Sequence, residues 1–277
     1  DPERLLDTAR RALGLRMLRH SADELRAQLA QASGIEAALL GKSAAMQQLR
    51  RQVLTLASTS ADVMILGETG TGKELLARAC HGARLRSSHP FMALNCAAMP
   101  DNVAESELFG YAPGAFGNNT EGKRGVLELA SGGTLMLDEI GDMSPHLQTK
   151  FLRVLQDGVF RRVGDEQEVR VNVRFICTTQ KQLLDLVHEG KFREDLYYRI
   201  CGWRQQLAPL RAWSVPERQG LILNLLAQMD PALQLSREAE QRLLAHPLPG
   251  NVRQLKQALE VACVLAEGQG WIEPAHL

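Results

Sequence analysis

Seven residues constrain this chain more than any others: Gly67-Glu68-Thr69-Gly70-Thr71-Gly72-Lys73 fits the pattern G-x-x-x-x-G-K. The apolar run Val63-Met64-Ile65-Leu66 precedes it directly, and Glu74-Leu75-Leu76-Ala77-Arg78 follows as the opening of a helix. Strand, glycine turn and helix in that order are the context a phosphate-cradling loop requires. Glycines let backbone N–H groups turn inward toward phosphate oxygens, and the helix N-terminus adds a favourable dipole. Lys73 supplies a positive charge for the outer phosphates. The bland reading is a glycine-rich turn with a chance lysine, and the flanking elements count against it. One position departs from the common pattern, because Glu74 stands where Ser or Thr usually follows the lysine. Thr71, water or an acidic pair elsewhere must then help hold Mg²⁺.

That acidic pair is Asp138-Glu139, at the end of the apolar run Thr134-Leu135-Met136-Leu137. An Asp at a strand tip suits Mg²⁺, and a neighbouring Glu suits activation of a water as general base. Taken alone, two carboxylates there could equally cap the next helix. With a phosphate loop upstream, ATP hydrolysis accounts for more.

The rest of the chain reads as layers around these two stretches. Phe91–Leu94 and Val173–Cys177 are further short apolar runs. Continuous apolar runs suit strands covered on both faces, which predicts an α/β fold with a parallel sheet sandwiched by helices. Strand signals stop near residue 210, and 216–229, 236–246 and 250–267 read as helices of a small all-helical lid. Leu15, Leu18, Ala22, Leu25, Leu29 and Ala32 recur at spacings of three and four. That predicts a helix over 3–32, either a short coiled coil or an amphipathic helix on its own domain. The expected division is a helical linker at 1–34, an α/β subdomain at 35–210 and a lid at 211–277. Lys+Arg and Asp+Glu are 32 each, so no net basic charge points to DNA. The 5 cysteines are widely spaced without a C-x-x-C, as in a reduced cytoplasmic protein. No apolar run approaches the ~18 residues of a membrane span. The opening at Asp1 reads as part of a longer protein.

With these residues in view, the stretch from about Leu40 to Leu265 resembles the central AAA+ domain of bacterial enhancer-binding transcription regulators, the sigma-54 activator family. The blocks are the phosphate loop with Glu74, Leu94-Asn95-Cys96-Ala97-Ala98, Glu105-Ser106-Glu107-Leu108-Phe109-Gly110, Gly132-Gly133-Thr134 through Asp138-Glu139, Phe192–Arg199, and Pro249-Gly250-Asn251-Val252-Arg253. Glutamate after the lysine is usual in that family. The resemblance implies roles. Asn95 would be the switch that senses the γ-phosphate and restrains Glu139. Arg193 and Arg199 would be arginine fingers reaching a neighbouring subunit's nucleotide, and Arg253 would be the second sensor. Thr179 or Gln180 would occupy the first sensor position. The fingers imply a ring, hexameric as in the family, with a dimer as the resting form.

The family's polymerase-contacting loop reads Gly-Ala-Phe-Thr-Gly-Ala, whereas this chain has Gly114-Ala115-Phe116-Gly117-Asn118-Asn119. The missing threonine counts against contact with sigma-54 on the RNA polymerase holoenzyme. A subgroup of the family, the tyrosine-responsive repressors (TyrR), has lost the same signature and works with the housekeeping polymerase. Several stretches are similar to that subgroup, among them Phe109–Phe116, Asp142-Met143-Ser144-Pro145 and Phe160–Gly164. Residues 1–29 are also similar to the linker after a receiver domain. DNA contact would come from a helix-turn-helix beyond Leu277. Two readings follow: an ATPase that remodels a transcription complex, or a module in which ATP only sets assembly. Unfoldases and helicase loaders lack the Glu105–Gly110 block and are the weakest match.

Overall fold

The computed structural model describes residues 34–277 apart from 37–38, 42, 58, 84–87 and 116–120. The helix expected over 3–32, and Phe116, Gly117, Asn118 and Asn119 of the expected partner loop, lie outside the described residues.

A five-stranded parallel sheet forms the centre. Its strands are β1 (Val63–Leu66), β2 (Phe91–Asn95), β3 (Thr134–Asp138), β4 (Arg174–Thr179) and β5 (Trp203–Gln206), in the spatial order β2-β3-β4-β1-β5. The side-chain period of two explains why β1 is apolar at every position. Met64 and Leu66 join Leu135, Leu137, Phe175 and Cys177 in one core. Val63 and Ile65 point the other way and join Met136 and Ile176 in a second. Helices α1 (Ala44–Ala57) and α2 (Lys73–Gly82) close the second core through Leu49, Val53, Leu76 and Ala77. Helices α3 (Asp101–Phe109), α4 (Pro145–Asp157) and α5 (Glu194–Ile200) close the first through Leu108, Phe151 and Leu196. Each such fully buried aliphatic side chain contributes about 1.5–3 kcal/mol relative to exposure. Neither face of the sheet can therefore be left to water.

Strand β5 has no apolar run in the sequence. Trp203-Arg204-Gln205-Gln206 alternates half-buried and exposed, as an edge strand should. It pairs with β1 from Val63↔Trp203 to Leu66↔Gln206.

The register decides where the chemistry sits. Leu94 pairs with Leu137 and Asn95 with Asp138, while Leu66 pairs with Thr179. All strands run one way, so the residues that end β1, β2, β3 and β4 share one edge of the sheet. That edge is where ligands bind in open parallel sheets.

Beyond β5, three helices pack on a separate core of Leu221, Ile222, Leu225, Leu243, Leu255 and Leu259. They are α6 (Val215–Met229), α7 (Arg237–Ala245) and α8 (Asn251–Leu265). Glu217 accepts the Ser214 N–H at 3.0 Å and its hydroxyl at 2.6 Å, which defines the start of α6. A two-residue parallel pairing of Gln234–Leu235 with Trp271–Ile272 adds a small β element to what the sequence suggested was all helix. Among the described residues, no helix is long and apolar enough to cross a membrane.

Candidate functional site

The loop from Gly67 to Gly72 leaves the end of β1 and enters α2 at Lys73. Gly70 (φ 80°) and Gly72 (φ 96°) take left-handed backbone that side-chain-bearing residues resist. Lys73 is buried, at 8% exposure, and its ammonium donates to the Gly67 carbonyl at 2.8 Å and to Glu139 Oε1 at 3.1 Å. A charge this enclosed persists because it is paired on both sides. Thr71 Oγ1 donates back to the Glu68 carbonyl at 2.8 Å. Glu74, by contrast, turns outward and pairs with Arg78 at 2.7 Å, so its carboxylate is not among the groups gathered here.

The acidic pair stands beside the loop. Asp138 ends β3, where Asn95 Nδ2 donates to its Oδ2 at 3.3 Å and the Thr178 hydroxyl donates to its Oδ1. Glu139 has left-handed backbone (φ 53°), unusual for a glutamate and a sign of local strain at a working site. Its Oε2 accepts the Gln180 backbone N–H at 3.1 Å while Oε1 takes Lys73. The restraint expected of Asn95 on Glu139 is therefore made differently in this structure. Asn95 holds Asp138, its register partner, and Lys73 and Gln180 hold Glu139.

Of the two first-sensor candidates, Thr179 is fully buried and its hydroxyl accepts the Lys181 N–H at 3.1 Å. Gln180 faces the loop, where its Oε1 accepts from Thr69 Oγ1 at 3.0 Å. Arg253, in the first turn of α8, lies over the loop, with its Cβ 3.1 Å from where a Cβ on Gly70 would stand. Gly114 and Ala115 form a turn above the hairpin that pairs Gly110–Tyr111 with Lys123–Arg124, and a Lys123–Glu107 ion pair braces its base.

Arg193 and Arg199 are not brought to this edge. Arg193 pairs with Asp195 on its own helix at 2.7 Å and is about half exposed. Arg199 donates through Nε and Nη2 to the Leu155 carbonyl at 3.2 and 2.7 Å, and lines a small cavity with Ser60 and Asp62. Asp62 precedes β1 and the glycine loop follows it, so Arg199 sits at the opposite end of that strand.

The sequence placed Glu68 and Asn251 in recognised stretches but gave no sign of their contact with each other or with Arg211. Glu68 accepts both arms of Arg211, at 2.7 and 2.5 Å, which holds its carboxyl down at about 2. Asn251 adds to that effect from 3.2 Å. Asn251 stood in the Pro249–Arg253 block after a turn signal, with no role of its own implied.

The donor set fits a hard cation and phosphate. Asp138, Glu139 and Asp142 are all oxygen donors. Desolvation, and then the charges of Asp138, Asp142 and Glu139, push the half-buried Cys96 thiol up to about 12. Among the described residues no cluster of three or more His, Cys, Asp or Glu side chains could hold a metal by itself. A magnesium ion needs only one or two carboxylates when substrate phosphates complete its shell.

The model of the sigma-54 interaction domain matches residues 39–204, and that of the AAA+ ATPase lid domain matches residues 220–277. The HTH-type transcriptional regulatory protein TyrR of Enterobacter agglomerans is 51% identical over 228 residues, covering 80% of this chain and 44% of that protein. The Nif-specific regulatory protein of Azotobacter vinelandii is 43% identical over 248 residues, 88% of this chain and 48% of that one. The chain thus spans somewhat under half the length of these relatives. Among solved structures, NtrX from Brucella abortus in complex with ATP superposes with a TM-score of 0.79 at 35% identity, covering 100% of this chain and 60% of that one. The ADP complex of the same protein gives 0.78.

Proposed function

The chain belongs to the sigma-54 interaction domain family, and on that premise we propose that it is the ATP-hydrolysing, oligomerising central domain of a bacterial transcription regulator working in the cytoplasm. The proposal includes its division into a linker at 1–34, an ATPase subdomain at 35–210 and a lid at 211–277.

The observation that carries the reading is the single sheet edge on which Lys73, Asn95, Asp138 and Glu139 meet. ATP enters as substrate on the loop from Gly67 to Lys73, with Arg253 over it. Mg²⁺, when bound, neutralises phosphate charge, and Asp138 would hold it, steadied by Asn95 and Thr178. Glu139 accepts a proton from the attacking water once its Lys73 contact is exchanged for phosphate. Gln180 keeps its backbone N–H on the same carboxylate and so fixes its aim. Charge on the transferring phosphoryl group is met by arginine supplied from a second copy. Arg193 and Arg199 suit that task, because each is held by its own chain away from its own loop.

A second reading is favoured by the 51% identity to TyrR and by Gly117-Asn118-Asn119 in place of Thr-Gly-Ala. In it, nucleotide sets assembly, and regulation proceeds through DNA held by a further domain and through the housekeeping polymerase rather than sigma-54.

One titration separates the two. Turnover per subunit is measured as protein concentration rises, with assembly followed by light scattering. The ATPase reading predicts turnover that climbs with assembly and vanishes in Lys73→Ala. Assembly on ATP with no turnover at any concentration would establish the second reading instead.

A further inference from the structure

A glycine-rich loop has many conformations, and a phosphate cradle needs one, with carbonyls outward and N–H groups inward. In this chain the outer side of the loop is bonded by the lid. Asn251 Nδ2 donates to the Thr69 carbonyl at 3.0 Å and to Glu68 Oε2 at 3.2 Å. The Val252 N–H donates to the Gly70 carbonyl at 3.0 Å. Arg211 grips Glu68 with two bonds. The approach is close enough that a Cβ on Gly70 would lie 2.2 Å from the Gly250 carbonyl oxygen.

Asn251 is itself held from every side. It is fully buried, takes left-handed backbone (φ 53°), and accepts the Leu210 N–H on Oδ1 at 2.7 Å. Asparagine tolerates that backbone better than most residues. Its amide thus ties three segments together: the glycine loop, the connection out of β5, and the first turn of α8.

We propose that Asn251 is a positioning residue for the phosphate site. It holds the Thr69 carbonyl, shares the Glu68 carboxylate with Arg211, and places the Val252 N–H on the Gly70 carbonyl, so the lid sets the shape of the loop and, through it, nucleotide affinity. A lid that moves therefore loosens its own phosphate site. The affinity part rests on the ATP-binding reading. The ordering of the loop without nucleotide does not.

Asn251→Asp separates the contacts cleanly. It keeps the size, the tolerance of left-handed backbone and the acceptor for Leu210, but loses the donors and sets a carboxylate against Glu68. Asn251→Gly keeps the backbone and removes the amide. Both are made in the whole chain, with two readouts: hydrogen exchange over residues 67–72 without nucleotide, and ADP affinity by calorimetry. Both variants should exchange faster over 67–72 and lose ADP affinity by about tenfold, Asp more than Gly, since donors to a carboxylate are strong. Arg211→Glu should weaken ADP binding as well, and the paired Glu68→Arg, Arg211→Glu chain should recover part of that loss. Simple docking of the lid for stability would not produce that recovery. Unchanged exchange in folded variants overturns the proposal, and so does faster exchange with ADP affinity within about twofold of the parent. A parent chain that binds no ADP, yet shows the exchange difference, would sink the ATP reading and leave the lid's control of the loop standing. Should the Asp variant fail to fold, the Gly variant and the Arg211 pair decide.

Discussion

Two edges of this molecule carry its conspicuous charges, and they are built in opposite ways. On the strand-tip edge, Lys73, Asn95, Asp138 and Glu139 bond to one another across β1, β2 and β3. On the α5 edge, the Arg193 side chain bonds Asp195 and the Arg199 side chain bonds the Leu155 carbonyl of α4. Among the described residues neither arginine reaches the loop or the acidic pair of its own chain. The first edge gathers a lysine, an asparagine and two carboxylates beside the glycine loop, with Arg253 over it. The second carries two arginines held away from that loop. On the proposed function the contrast is that of two half-sites on one chain, which assembly would join.

If the strand-tip edge does its own part of the chemistry, its carboxylates divide the work. Glu139→Gln should lower turnover by about 10²–10⁴-fold, the usual contribution of a positioned base. Nucleotide binding should stay near that of the parent, because Lys73 and Asp138 remain. Steady-state turnover beside ADP calorimetry checks both. A variant that loses binding along with turnover would mean Glu139 shapes the pocket rather than the reaction.

The smallest effect sharpens the same comparison from the lid side. Glu68 titrates at about 2 because Arg211 first, and Asn251 next, bond its charged form. Its folded value lies below the ordinary 4.5, so its contribution is fully present above pH 4.5 and is lost as pH falls toward 2. Exchange over residues 67–72 should be flat in its opening equilibrium from pH 7 to 5 and rise below 4.5. Arg211→Met should remove most of that rise. The same profile in parent and variant would show that the lid contact does not depend on this pair.

Much of this was legible beforehand, for reasons that can be named. Strands β1, β3 and β4 are buried on both faces, and the half-buried edge strand β2 still carries Phe91-Met92-Ala93-Leu94, so continuous apolar runs announced all four to within two residues. The lid helices were read at 216–229, 236–246 and 250–267, within two residues of where they lie. Edge strand β5 escaped because Trp203-Arg204-Gln205-Gln206 has one face in water and no apolar run. The glycine loop and acidic pair were visible because their chemistry demands rare residues in a fixed order. The Glu68–Asn251–Arg211 contacts were not, since they span up to 183 positions and use common polar residues. The partner of Asn95 was also beyond the sequence. It depends on the β2–β3 register, which puts Asn95 opposite Asp138 and leaves Glu139 to Lys73 and Gln180.

The most direct test of a site shared between copies is complementation. Lys73→Ala removes the phosphate-binding cation but keeps both arginines; Arg199→Ala keeps the loop but lacks a finger. Each alone should be nearly inactive, the second by about 10³-fold, as for other arginines supplied in trans. Mixed one to one, roughly a quarter of the head-to-tail interfaces pair an intact loop with an intact arginine, and turnover should return to about that fraction of the parent. A mixture as inactive as its components, although it assembles, would contradict the account, because the arginine would then serve only the chain that carries it.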